Sequence, residues 1–148
     1  MTIKDFSRLA TALFLCSAIL YAGATQVYAE EPAESQQRTE SVIRGQLEAM
    51  AQGDGAGAYS YAAPNIQDIF PSPDIFMAMV RDGYGALIAP SDYAFEHFEV
   101  RDDRAIQVLN VLDQNGRQWR AIYRMQRLED GTWRIAGCMI EEIQGGNV

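Results

Sequence analysis

Histidine is almost missing from this sequence: His97 is the single one, and only Cys16 and Cys138 accompany it as soft metal ligands. One imidazole and two thiols are too few for a zinc site drawn from this chain alone, so no metal is expected. Basic residues are scarce as well. Lys and Arg number 12 against 20 Asp and Glu, a formal net charge of −8, whereas affinity for nucleic acid or an anionic membrane is built on clustered cations. Neither is expected as a partner. The chain carries no Gly-x-Ser-x-Gly elbow, no phosphate-cradling glycine loop and no dinucleotide fingerprint, so neither a serine nucleophile nor a cofactor is indicated.

A long hydrophobic run is missing too. The uncharged stretch 9–29 has its apolar heart over 9–21 only, shorter than the roughly 20 residues a spanning helix needs. Lys4 and Arg8 precede that run, and Val27-Tyr28-Ala29 offers small residues where a signal peptidase reads. Residues 1–29 are therefore expected to be a cleaved signal peptide, with Ala22-Gly23-Ala24 as a second cleavage site. The product would be periplasmic or secreted, and retention as an uncleaved membrane anchor is the alternative. Cleavage leaves 10 basic and 19 acidic side chains, a net charge of −9, and Cys138 as the lone thiol. No internal disulfide can then form, and the apolar core must hold the fold. The length suits one domain: a flexible lead-in over 30–40, a folded unit over 41–143 and a tail over 144–148.

What is present reads most clearly between residues 105 and 143, as three strands joined at Asn115-Gly116 and Glu129-Asp130-Gly131. The glycines sit where hairpin turns demand a positive φ. A three-residue loop at the second turn pairs Leu128 with Thr132, and outward counting pairs Met125 with Ile135, Tyr123 with Gly137 and Ala121 with Met139. Trp119, Tyr123, Met125, Trp133, Ile135 and Met139 then share the core face, and Arg120, Arg124, Gln126 and Arg134 the other. A one-residue slip would put Trp133 and Ile135 among the arginines, which a buried face selects against. At Asn115-Gly116 two registers stay open, with either Val108 and Leu112 or Leu109 and Val111 on the core side.

Upstream, Ile43, Leu47 and Met50 form one helical stripe from Ser41, closed at Gly53. Asp54 can cap a short helix ending before Pro64, another turn or two follows over 65–70, and Ser72-Pro73-Asp74 is a strong helix start. That helix shows Phe76, Val80, Tyr84 and Leu87 at core spacing and is expected to run to about Ala86. Residues 93–100 read as a first strand of mixed alternation. Helices first and an antiparallel meander second means an α+β fold of about four strands, with the helices packed on one sheet face.

Gln46-Leu47-Glu48-Ala49, Gly53-Asp54, residues 58–66, residues 76–80 with Tyr84, and Asp130-Gly131-Thr132-Trp133-Arg134-Ile135-Ala136-Gly137 resemble the bacterial family known as domain of unknown function 4864. That family is similar in plan to the nuclear-transport-factor-two-like cone, whose helices close over a curved sheet. The resemblance implies a pocket in the cone but no particular reaction, since the superfamily spans isomerases, dehydratases, cyclases and domains without known catalysis.

Tyr84, Trp119, Tyr123 and Trp133 are the candidate ligand-pocket residues, although rings at such spacings also serve as plain core. No catalytic residue is assigned. His97 falls on the Tyr93 side of its strand by alternation and reads as a surface or rim residue. Cys138 reads as a half-buried structural thiol on the face opposite Trp133. Only Glu141 brings a carboxylate to the meander's core face, with Asp68 and Asp82 as helix residues able to point inward. The expected function is an exported, non-catalytic module binding a small apolar ligand or a protein; a pocket enzyme of the isomerase, dehydratase or cyclase type is the alternative. A homodimer through the sheet is expected from an apolar strip of Ile122, Ala136, Cys138 and Ile140 on the arginine face.

Overall fold

The computed structural model describes residues 31–144, so the expected signal peptide and residues 145–148 of the expected tail lie outside the described residues. Helices α1 (Pro32–Ala51), α2 (Gly55–Ser60), α3 (Pro64–Ile69) and α4 (Pro73–Gly83) come first, followed by a 3-10 turn over Gly85–Leu87. Strands β1 (Asp92–Arg101), β2 (Arg104–Leu112), β3 (Gln118–Arg127) and β4 (Trp133–Glu142) then form one antiparallel sheet in the order β1-β2-β3-β4. This is the expected α+β plan. No described helix is long and apolar enough to cross a membrane.

The helix boundaries follow from local chemistry. Pro32 and Pro73 occupy first-turn positions, where a missing N–H costs nothing. Asp54 Oδ1 accepts from Gly57 N at 2.9 Å and Ser72 Oγ from Ile75 N at 3.3 Å, each satisfying an otherwise orphaned donor. At the end of α1, Asp54 N donates to Ala49 O and Gly53 N to Met50 O, with Gly53 at φ +73°, the paired closure that left-handed glycine permits. Helix α4 stops at Gly83, short of the expected Ala86, and tightens into the 3-10 turn.

Residues 32–40, expected as a flexible lead-in, are instead the first half of α1. Ser35 and Thr39 continue the stripe of Ile43, Leu47 and Met50 and are as buried as those apolar residues. Thr39 hides its hydroxyl by donating to Gln36 O at 2.9 Å, and Arg38 Nη2 docks on Gly131 O at 2.8 Å. Small polar residues at core spacing give no hydrophobic signal, which is why the stripe begins too late in the sequence reading.

Both hairpins β2–β3 and β3–β4 have three-residue loops. Asp113 N donates to Arg117 O and Leu128 N to Thr132 O, with Gly116 and Gly131 at φ +77° and +83°. The open register is thereby settled, with Leu109 and Val111 buried on the core side. In β3–β4 the expected pairing holds through Met125 with Ile135, then shifts. Ala136 is an extra residue on β4, so Arg124 faces Gly137, Tyr123 faces Cys138, Ala121 faces Ile140 and Ile122 faces Met139. Beyond this bulge every β4 side chain changes face relative to the sequence reading. Cys138 and Ile140 turn inward, while Met139, 61% exposed, and Glu141, which pairs with Arg120 at 3.1 Å, turn outward. A second bulge separates Phe95 from Phe98 in β1. It puts Tyr93, Phe95, Phe98 and Val100 on the core side and leaves His97 exposed, correcting its placement beside Tyr93.

Candidate functional site

The bulge at Ala136 builds the site. Edge strand β4 would otherwise present unpaired backbone groups to solvent, but the helical layer ties it down. Ala63 N donates to Ile135 O at 2.8 Å and Ile135 N to Tyr61 O at 2.9 Å. Asn65 Nδ2 donates to Ala136 O and Tyr84 Oη to Cys138 O, both at 3.0 Å. Between these ties, α1, α3, α4 and the sheet enclose a cavity of about 290 Å³. Its buried wall includes Met50, Phe76, Val80, Leu87, Tyr123 and Ile135, and its rim is the half-buried Ile66, Phe70, Met79, Tyr84 and Cys138. Phe76 stacks obliquely on Tyr59, centroids 5.5 Å apart, and meets the edge of Phe70 at 6.5 Å, which makes one wall aromatic. A larger groove of about 510 Å³ lies on the opposite, solvent face of the sheet, among Glu99, Arg101, Arg104 and Arg124. The inner cavity is the candidate site because buried apolar side chains wall it.

Polar groups in the cavity are few, and the charged one in its lining is Arg124, whose guanidinium lies against Gly137. Tyr123 is fully buried and its hydroxyl has no hydrogen-bond partner. Burial raises its pKa, with further upward contributions from Cys138 and Tyr93, so the phenol stays protonated. Cys138 lies opposite it and donates its thiol to Met139 O at 3.6 Å. Burial pushes that thiol up to about 12, against weaker lowering by Tyr123 and Arg124. Gln46 spends Nε2 on Ala58 O at 3.2 Å. Asp68, Asp82, Asp92, His97 and Glu141 are all exposed, and none lines the cavity.

The four pocket residues named from the sequence divide. Tyr84 stands at the rim and Tyr123 at the inner wall. Trp119 and Trp133 do not line the cavity. Trp119 Nε1 donates to Asp113 Oδ2 at 3.0 Å while the Arg117 guanidinium sits 5.2 Å above its ring, so it belongs to the β2–β3 turn. Trp133 is buried under Arg127, 5.8 Å from its ring centre. Gly137, expected to make room opposite Tyr123, instead leaves space for Arg124, whose guanidinium a Cβ there would strike. Phe70 and Met79 carried no signal in the sequence pattern, Met50 read there as plain core stripe, and Cys138 was placed on the wrong face. The bulge that turns it inward has no signature in the residue pattern.

The family described as Domain of unknown function (DUF4864) matches residues 32–148. No curated protein matches the chain. Among solved structures it is similar to an NTF-2 like protein of unknown function from Silicibacter pomeroyi, at TM-score 0.56 and 20% identity, covering 77% of this chain and 100% of that one. An NTF2-like protein of unknown function from Shewanella baltica gives TM-score 0.56 at 11% identity, over 79% of this chain and 100% of that one. A third, from Methylobacillus flagellatus, gives 0.57 at 9% identity, over 78% and 97%. At such identities the likeness concerns the fold: helices over an open antiparallel sheet, of the NTF2-like type.

Proposed function

This chain belongs to the DUF4864 family, and from that premise we propose that it is a non-catalytic binding domain whose cavity takes up a small apolar ligand. One observation carries the reading: a fully buried phenol without a hydrogen-bond partner at the wall of a mainly apolar cavity, which Arg124 and Gln46 also line. Such a group is costly to keep in a core that serves packing alone. Catalysis of the isomerase, dehydratase or cyclase type needs a titratable base near the reacting atoms. Among the described residues no Asp, Glu or His lines this cavity, and the Cys138 thiol, at about 12, is a poor nucleophile at neutral pH.

Thermal-shift screening with small aromatic and aliphatic probes tests the reading. Several neutral apolar probes should raise Tm in proportion to occupancy, and indifference of Tm to every one at millimolar concentration would refute it. Export and cleavage after Ala29 belong to the same proposal. Intact mass of protein from the periplasm or medium checks it, and a full-length, membrane-retained product counts against it. A homodimer is also proposed, through the outer sheet face. There Val108, Ile122 and Met139 lie side by side with Ile106 adjacent, replacing the strip that included Cys138 and Ile140.

A further inference from the structure

We propose that the ligand is a largely apolar molecule carrying a hydrogen-bond acceptor, such as a ketone or aldehyde oxygen, and that Tyr123 donates its phenolic proton to that atom. The inference rests on the binding reading above and names the chemistry that the cavity selects. Tyr123 projects from the core face of β3 between Gln107 and Cys138, its cross-strand neighbours. Gln107 donates through Nε2 to His97 O at 3.1 Å and Val108 O at 3.0 Å, while its Oε1, like the phenol, is buried without a hydrogen-bond partner. Met50, Phe76, Val80 and Ile135 give the cavity a hydrocarbon and thioether wall, which Gln46 and Arg124 complete.

A phenol can donate one proton and accept others. A ligand that only donated would leave the phenolic proton orphaned, so an acceptor is the complementary group. Arg124 also lines the cavity, its guanidinium against Gly137, and this positive charge favours an electronegative acceptor atom. The volume of about 290 Å³ lies at the small end of ligand pockets. Met50 and Met79, with three rotatable bonds each, can yield as the ligand reaches the inner wall.

The test uses propiophenone and propylbenzene, which differ by a carbonyl in place of a methylene, on the mature chain. Calorimetry should show the ketone binding more tightly than the hydrocarbon. Tyr123→Phe should weaken the ketone by ~3- to 10-fold, the worth of one net hydrogen bond, and leave the hydrocarbon unchanged or slightly tighter. Infrared spectra of the wild-type complex supply a readout independent of any variant, with the bound carbonyl stretch moving to lower wavenumber. An unshifted stretch, or a ketone preference that survives Tyr123→Phe, overturns the assignment while leaving the cavity as a binding site. If neither probe binds the wild type at millimolar concentration, the inference falls together with the reading beneath it.

Discussion

Replacing Tyr123 by Phe removes one oxygen from the floor of the cavity and leaves the ring, and the account requires the ligand-free protein to become more stable. In the folded chain that hydroxyl is shielded from water with only the soft Cys138 thiol acting on it as a bonding group, whereas in the unfolded chain it is hydrated. A desolvated, unsatisfied polar group costs about 1–3 kcal/mol. Its contact with the soft Cys138 thiol offsets part of this, so a gain of about 1 kcal/mol is the expectation. With about 2.1 cal/mol/K of unfolding entropy per residue over roughly 110 residues, that corresponds to about 4 °C in Tm. Differential scanning calorimetry at pH 7 without ligand reads it directly. Alkaline pH supplies a second reading, because burial raises the folded-state pKa of Tyr123. Above the ordinary phenol range the unfolded chain releases this proton and the folded chain keeps it. The wild type should therefore lose stability with rising pH relative to Tyr123→Phe, with no such difference below that range. A variant less stable than wild type would refute the reasoning, since it would mean that the hydroxyl is bonded in the native state. A site that spends stability on an unused donor is what a binding function predicts.

Other consequences follow from neighbouring residues. Cys138, pushed up from 9.0 to about 12, should alkylate at pH 8 about a thousandfold more slowly in the folded protein than in urea, as mass spectrometry of iodoacetamide adducts will report; equal rates would show the thiol to be free. Burial raises the Asp113 pKa, but hydrogen bonds from Arg117 N, Trp119 Nε1 and Asn115 N, with the Arg117 charge, outweigh it and leave the carboxyl lowered. Asp113→Ala should accordingly lower Tm at pH 7 and shift Trp119 fluorescence to the red, and the difference should vanish as pH falls below the ordinary carboxylate range. Met139→Glu, on the exposed apolar row with Ile122 and Val108, should turn a dimer at tens of micromolar into a monomer by light scattering; a wild type monomeric there removes the sheet interface from the account.

Much of this fold could be read from single residues whose chemistry admits one local structure. Gly116 and Gly131 marked both hairpin loops, Asp54 and Ser72 marked helix starts, and Gly53 marked a helix end. The register near Gly131 followed from keeping Trp133 and Ile135 on the buried side. What could not be read was the register beyond Ala136, because a bulge inserts one residue without changing the local composition. Alternation carried past it put Met139 and Glu141 inside and Cys138 outside, the reverse of the structure. The same cause misplaced His97. The cavity was half legible: Tyr84 continued the periodic face of α4 just past its end, and Tyr123 lay on a core strand, but their distance from Trp119 and Trp133 depends on the helical layer. Asp113 claims Trp119 through a contact across the turn that strand alternation does not encode.

The central claim, that the cavity between the helices and β4 is where a small apolar ligand sits, is tested most directly by methionine-methyl NMR. Met50 and Met79 line the cavity, while Met139 stands on the outer sheet face at 61% exposure. Titration of protein labelled at the methionine methyls with propiophenone should move the Met50 and Met79 resonances in a saturable way and leave Met139 in place. Movement of Met139 alone, or of none of the three, would contradict the account.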